Sequence, residues 1–241
     1  MPGILAPLEE ARRSGRTRLL EHEAKAACIE YGIPVARFLM AQDIDEALRS
    51  ADAIGYPVVL KIVSHQIIHK SDVGGVVVDL RNAEELRAAY RNILKAVKKN
   101  MPAADVTGML VEEMLPSSTE VVVGATRDPQ FGHVIMFGLG GVFVEVLKDV
   151  SFRAVPINAS DAREMITELN AFPILGGYRG KPPADIGALV DILLKTSRLV
   201  TDHPEISEVD LNPILVSEKG GKAVDARIVL GTAPVERDRF R

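Results

Sequence analysis

Residues 56–80, YPVVLKIVSHQIIHKSDVGGVVVDL, decide how the chain is read. Positions 58–63 are apolar except for Lys61 and form a buried-looking strand; 76–80 is a second strand-like run. Between them stand His65, His69, Lys70, Ser71, Asp72, Gly74 and Gly75, a crowding of cations, imidazoles and glycines found nowhere else in the chain. Two strands joined by such a loop can fold over a polyphosphate. Backbone N–H groups approach closely where no side chain obstructs them, and lysines neutralise the charge.

The totals frame that reading. A chain of 241 residues with 47% hydrophobic content can bury a substantial core, as one large domain or two small ones. A net charge of −4 argues against broad nucleic-acid binding, which needs a positive face, so phosphate binding is expected to be local. The single cysteine, Cys28, excludes an intramolecular disulfide and a cysteine-built zinc site, suits a reducing compartment and reads as a small core residue. No segment reaches the roughly 18 apolar residues of a membrane span. The expectation is a soluble cytoplasmic protein with no membrane partner.

In chain order, residues 1–17 read as an arm or linker, and a helix is expected over 18–31, closed by Gly32 and Pro34. A strand over 35–41 follows, then a helix capped by Asp43 and running through Ala53, the 58–63 and 76–80 strands, and a helix from Asn82 to about Lys99. Its basic tail, Lys95, Lys98 and Lys99, suits the negative end of the helix dipole. A strand over 106–114 leads into a Pro-Ser run, 115–118, taken as the hinge between halves: 18–115 with the histidine loop and 116–241. Beyond it come a hairpin of 119–126 and 134–137, a glycine cluster at 138–141, β-rich runs at 142–147 and 151–156, and a helix from Ser160 or Asp161 to about Asn170. A loop over 175–183 precedes a helix from Asp185 to Thr201, and strands at 206–209, 212–216 and 223–229 close the chain. Two α+β halves mixing hairpins with flanking helices lack the βαβα alternation of a doubly wound sheet, and the glycines fit neither Rossmann nor P-loop spacing.

Lys61 needs a partner, because a buried ammonium is costly alone. A carboxylate such as Glu112 would serve, and the glycine loop makes a phosphate the favoured alternative. Neutral imidazole is a nucleophile whose phosphoramidate passes its phosphoryl group onward, so His69, flanked by Lys70 and Asp72, reads as a carrier with His65 its rival. A hairpin about residues 218–221 would bring Asn212 and Asp225 nearly opposite each other, with Asp210 on the same side. Amide and carboxylate oxygens are ligands that Mg²⁺ accepts, although turn and strand-end capping is the commoner use of these residues. Glu112 and Glu113 are either a solvated edge or the frame of an adenine pocket, with Glu120 able to reach ribose hydroxyls.

Together these segments resemble the ATP-grasp half of the ADP-forming acyl-CoA synthetases, relatives of succinyl-CoA synthetase. The resemblance covers about residues 18–232 and rests on EHEAK at 21–25, YGIP at 31–34, GYPVVLK at 55–61, HKSDVGG at 69–75, VEEM at 111–114, RDPQFG at 127–132, FGLGGVFVE at 137–145 and EVDLNP at 208–213. Each piece is modest alone; the combination is specific. It implies an α+β ATP-grasp fold in which two subdomains hold ATP or ADP between them with Mg²⁺. It also implies a separate CoA-binding alpha subunit that carries the first phosphohistidine, in an α2β2-type hetero-oligomer.

By the same resemblance, Lys61 contacts phosphate, Gly74 and Gly75 form the glycine-rich loop, and Glu113, Met114 and Leu115 fall at the adenine-reading hinge, with Glu120 on the following strand. Asn212 and Asp225 correspond to Mg²⁺ ligands. Asp210 stands where relatives have a glutamate that meets an incoming phosphohistidine, and His69 corresponds to a second phosphohistidine that succinyl-CoA synthetases lack. The expected activity is acyl-CoA + ADP + phosphate to acid + ATP + CoA, in a β subunit inactive without the CoA-binding partner. The rival readings are the ATP-grasp part of a lysine acetyltransferase-type assembly and a module that only senses adenine nucleotide.

Overall fold

The computed structural model describes residues 5–141, 144, 146–177 and 182–231. They fall into two units: a smaller one, 36–116, and a larger one made of 1–35 with 117–241.

In the smaller unit, β1 (Phe38–Ala41), β4 (Gly108–Glu113), β2 (Val58–Val63) and β3 (Val76–Leu80) form one antiparallel sheet in the spatial order β1-β4-β2-β3. Helices α3 (Ile44–Ile54) and α4 (Ala83–Asn100) start where short polar side chains cap them: Asp43 accepts from the Glu46 N–H and Asn82 from the Glu85 N–H. Their apolar stripes, Ala47 and Ala51 on α3 and Leu86, Ile93 and Val97 on α4, pack with Val58, Leu60, Ile62, Met109 and Val111. Strand alternation therefore puts Val59, Lys61, Leu110 and Glu112 on the opposite face.

In the larger unit, the sheet runs β10 (Arg227–Leu230), β8 (Ile206–Ser217), β5 (Thr119–Asp128), β6 (Gly132–Leu139) and β7 (Val150–Ala154), with β9 (Gly220–Ala223) also paired to β8. All of its ladders are antiparallel. One face is covered by α5 (Ala159–Thr167), the short α6 (Phe172–Leu175) and α7 (Ile186–Asp202), giving a core that includes Val121, Val123, Ile135, Phe137, Leu211, Ile214, Met165 and Leu193.

Several expected elements shift for tertiary reasons. The segment read as an arm contains helix α1 (Leu5–Arg13), whose Leu8 and Ala11 are buried in the larger core. Residues 18–35, expected with the first half, belong to the larger unit instead. Helix α2 (Glu21–Glu30) starts three residues later than expected, because Arg18 bridges Val229, the Leu19 N–H donates to the Ile228 carbonyl and the Leu230 N–H to that of Thr17. The chain there completes the β10 edge before it coils. Val35 likewise bridges Ala223, so β1 begins only at Phe38. The cap of α5 is Asn158, which accepts from the Ser160 and Asp161 N–H groups while Asp161 accepts from the Asn158 N–H, a reciprocal box that starts two residues before the expected Ser160. The expected run 142–147 and loop 175–183 lie partly outside the described residues.

Cys28 is fully buried, and burial pushes its thiol up to about 12, consistent with a small core residue. Leu8 supplies the test of the N-terminal correction. Leu8→Ala should cost about 2–4 kcal/mol of unfolding free energy in denaturant titration; a change within about 0.5 kcal/mol would restore the arm reading.

Candidate functional site

The smaller unit holds Lys61, His69, Gly74, Gly75, Glu113, Met114 and Leu115; the larger holds Glu120, Asp210, Asn212 and Asp225.

On β2, Lys61 is buried and its ammonium lies 3.2 Å from a Glu112 carboxylate oxygen on β4, with Glu112 fully buried. The carboxylate partner weighed from the sequence is thus present. The register sets Val59 opposite Glu112 and Lys61 opposite Leu110, so the pair is a diagonal one on a shared face.

The chain then rises into the histidine loop. Ile67 turns into the core while Ile68 and His69 are exposed. The descending limb is a single 3₁₀ turn, Ser71–Val73, closed by Gly74 in the left-handed region at φ 71°. The Gly74 N–H donates to the Ser71 carbonyl, the Gly75 N–H to that of Lys70, and the Ile62 N–H to that of Gly75. A Cβ on Gly75 would sit 2.5 Å from Ile62 Cγ2 and 2.9 Å from the Lys70 carbonyl oxygen, so only glycine fits against β2. The end of α4 supports the turn, with Asn100 Nδ2 donating to the Val73 carbonyl at 3.2 Å. His69 therefore crowns a loop fixed at both feet.

At the end of β4, Glu113 is tied to Arg37: its carboxylate accepts from the Arg37 backbone N–H at 2.8 Å and from Nε at 3.1 Å. The Glu113 N–H donates to the Arg37 carbonyl and the Met114 N–H to that of Pro57.

The larger unit gathers the other residues. Strand β8 carries one extra residue at Asn212-Pro213, since Val121 pairs with Ile214 but Val123 with Leu211. The bulge keeps both Leu211 and Ile214 in the core and sends Asp210 and Asn212 to the opposite face. Across the hairpin, Ile214 faces Ala223 and Asp210 faces Arg227, one unbroken register that sets Asn212 across from Asp225. The Val224 N–H donates to the Pro213 carbonyl and helps hold that alignment. Glu120 lies on β5 of the same sheet, opposite Leu215, its carbonyl accepting from the Gly140 N–H at 2.8 Å.

The electrostatics of this face are acidic. Burial first, then Glu208 and Asp225, push the Asp210 carboxyl above the usual carboxylate range, while Arg227 pulls it down. The Arg227 guanidinium pairs with Glu208 and lies 3.6 Å from Asp210. The sequence reading passed over Glu208 and Arg227. Period-two counting would have found both, each two residues beyond a chosen carboxylate on the same strand face.

Among the described residues no group of three or more His, Cys, Asp or Glu could hold a metal by itself. Mg²⁺ takes one or two protein oxygens and leaves its other positions to water and phosphate. Asn212 and Asp225 offer those hard donors on an acidic face, so the residues fit the ion.

A family model of the ATP-grasp domain matches residues 10–230. The subunit beta of acetate–CoA ligase (ADP-forming) II from Pyrococcus furiosus is 51% identical over 226 residues, covering 92% of this chain and 96% of that protein. Among solved structures, the dinucleotide-forming acetyl-coenzyme A synthetase 1 of Ca. Korarchaeum cryptofilum, in complex with coenzyme A, Ca-AMPCP and HgCl⁺, superposes with TM-score 0.92 at 51% identity, covering 93% of this chain and 98% of that one. A second structure of that synthetase, with coenzyme A and Mg-AMPPCP and a phosphohistidine segment pointing towards the nucleotide-binding site, gives TM-score 0.84 at 47% identity, covering 95% and 100%. The chain belongs to the ATP-grasp family, among the beta subunits of the ADP-forming acetate–CoA ligases.

The buried ion pair on β2 and β4 makes a testable demand. Lys61→Met should destabilise the protein by about 3–5 kcal/mol by removing the buried ammonium that faces Glu112, and Lys61→Met with Glu112→Leu should recover most of that loss in denaturant titration. A single variant as stable as the wild type would mean that Lys61 does not neutralise Glu112.

Proposed function

We propose that this chain is the nucleotide-binding beta subunit of an ADP-forming acyl-CoA synthetase and that His69 relays the phosphoryl group. One observation carries the reading: in a chain of this family, His69 stands exposed at the crown of a loop whose feet are fixed by Ile67 and Gly75. The relative with a phosphohistidine segment pointing towards its nucleotide-binding site supports it.

The partner, a CoA-binding alpha subunit in an α2β2-type assembly, forms acyl phosphate from acyl-CoA and inorganic phosphate with release of CoA, then takes the phosphoryl group onto its own histidine as the carboxylate leaves. His69 receives it as neutral imidazole: a P–N bond forms on its ring as the one on the partner's histidine breaks. That bond in turn breaks as a β-phosphate oxygen of ADP forms the new P–O bond, giving ATP. Asp210 is the carboxylate assigned to meet a phosphohistidine and orient its ring. Lys61 contacts phosphate, the Gly74 and Gly75 loop approaches it closely, and Glu113, Met114, Leu115 and Glu120 frame adenosine. Asn212 and Asp225 would hold Mg²⁺, which when bound neutralises phosphate charge as the phosphoryl group moves. A ligase of this kind is assigned to the cytoplasm, and no described helix is long and apolar enough to cross a membrane.

The test is labelling of the assembled complex with γ-labelled ATP and mapping of acid-labile phosphate. His69→Ala should abolish label on this chain and His65→Ala should keep it; the reverse pattern would make His65 the carrier. The rival sensor reading expects no label at all. Asp225→Ala should lose Mg²⁺-dependent labelling while keeping the melting temperature within a few degrees, and unchanged metal dependence would remove Asp225 from the ion.

A further inference from the structure

We infer that Arg227 is a positioning residue: its guanidinium fixes the direction in which Asp210 presents its carboxylate. The inference rests on the role proposed for Asp210 and adds what makes that role possible. Arg227 faces Asp210 directly in the β10–β8 register, and both side chains lie on the sheet face opposite the helices. Its Nη2 contacts Glu208 Oε1 and lies 3.6 Å from Asp210 Oδ2. One guanidinium nitrogen therefore lies between two carboxylates that stand two residues apart on β8.

Three acids crowd this face: Glu208 and Asp225 both act on Asp210 with like charge, and Arg227 is the cation that opposes them. Like charges on neighbouring strand positions push each other aside, so without the arginine Asp210 would be driven from its present rotamer. A planar guanidinium holds a carboxylate in a set orientation where a flexible ammonium would not.

The strand on the other flank points the same way. Asp210 pairs there with Gly124 of β5. A Cβ at Gly124 would meet only ordinary contacts, 3.5 Å to Met136 Cε and 3.6 Å to the Val209 carbonyl oxygen, so packing does not demand glycine at that position. Asp210 thus has Arg227 on one flank and a residue without a side chain on the other.

The experiment is a double-mutant cycle in the reconstituted complex with its CoA-binding subunit, measuring kcat and the KM for Mg-ADP of ATP formation from acyl-CoA. Arg227→Gln should lower kcat by about 100-fold, the scale of a misplaced reacting group, with the KM for Mg-ADP within about threefold. Arg227→Gln combined with Asp210→Asn should be no slower than the slower single variant, because a residue acting through Asp210 has nothing left to act on. Losses that multiply, or a kcat for Arg227→Gln within about threefold of wild type, overturn the inference while leaving Asp210 in place. An Asp210→Asn variant at wild-type rate instead overturns the role of Asp210, and this inference with it. If Arg227→Gln does not assemble, Arg227→Lys in the same cycle reads the same coupling.

Discussion

The extra residue that β8 carries opposite Val122 is the constraint on which the larger unit's site depends. A strand alternates with period two, so without the insertion Leu211 and Ile214, three apart, would point to opposite faces. Both are fully buried, and β8 is paired along its length with β5 on one side and with β9 and β10 on the other. The bulge absorbs the odd count. It allows one strand to serve a continuous core and still project Glu208, Asp210 and Asn212 outward, where the β10 register brings Arg227 and Asp225 to meet them.

The smaller unit solves a related problem with charge. Its central strands are buried on both faces, yet β2 carries a cation there. Lys61 is accommodated because Glu112, diagonal to it on β4, is buried beside it. The histidine loop follows the opposite principle. Its feet are fixed by a core isoleucine and by a glycine pressed against Ile62, and its crown is left to solvent. Fixed ends and a free crown are what a side chain needs if it is to carry a group without unravelling the sheet beneath it.

Together these features explain why the reactive groups are distributed as they are. Strands and the turn beside them carry Lys61, Asp210, Asn212 and Asp225. A loop carries the one group assigned to travel. On the larger unit's face Asp210, Asp225 and Glu208 are opposed by Arg227.

Local chemistry was legible in the sequence. Asp43, Asn82 and Asp185 cap helices where their side chains say they should, β2 and β3 span the residues that their apolar runs predicted, and the Asn212–Asp225 opposition followed from turn position and strand period. So did the α+β class and the family, because the motifs are dense along one chain. Tertiary structure decided what depends on distant partners. Residues 17–19 pair with β10 instead of coiling, α1 buries Leu8 in a core built mostly from residues a hundred or more positions away, and Lys61 found its carboxylate across the sheet. Arg227 is the clearest case. Its identity is plain in the sequence, but its hold on Asp210 exists only through the register of β10 on β8, which hydrogen bonds between strands set and no local propensity encodes.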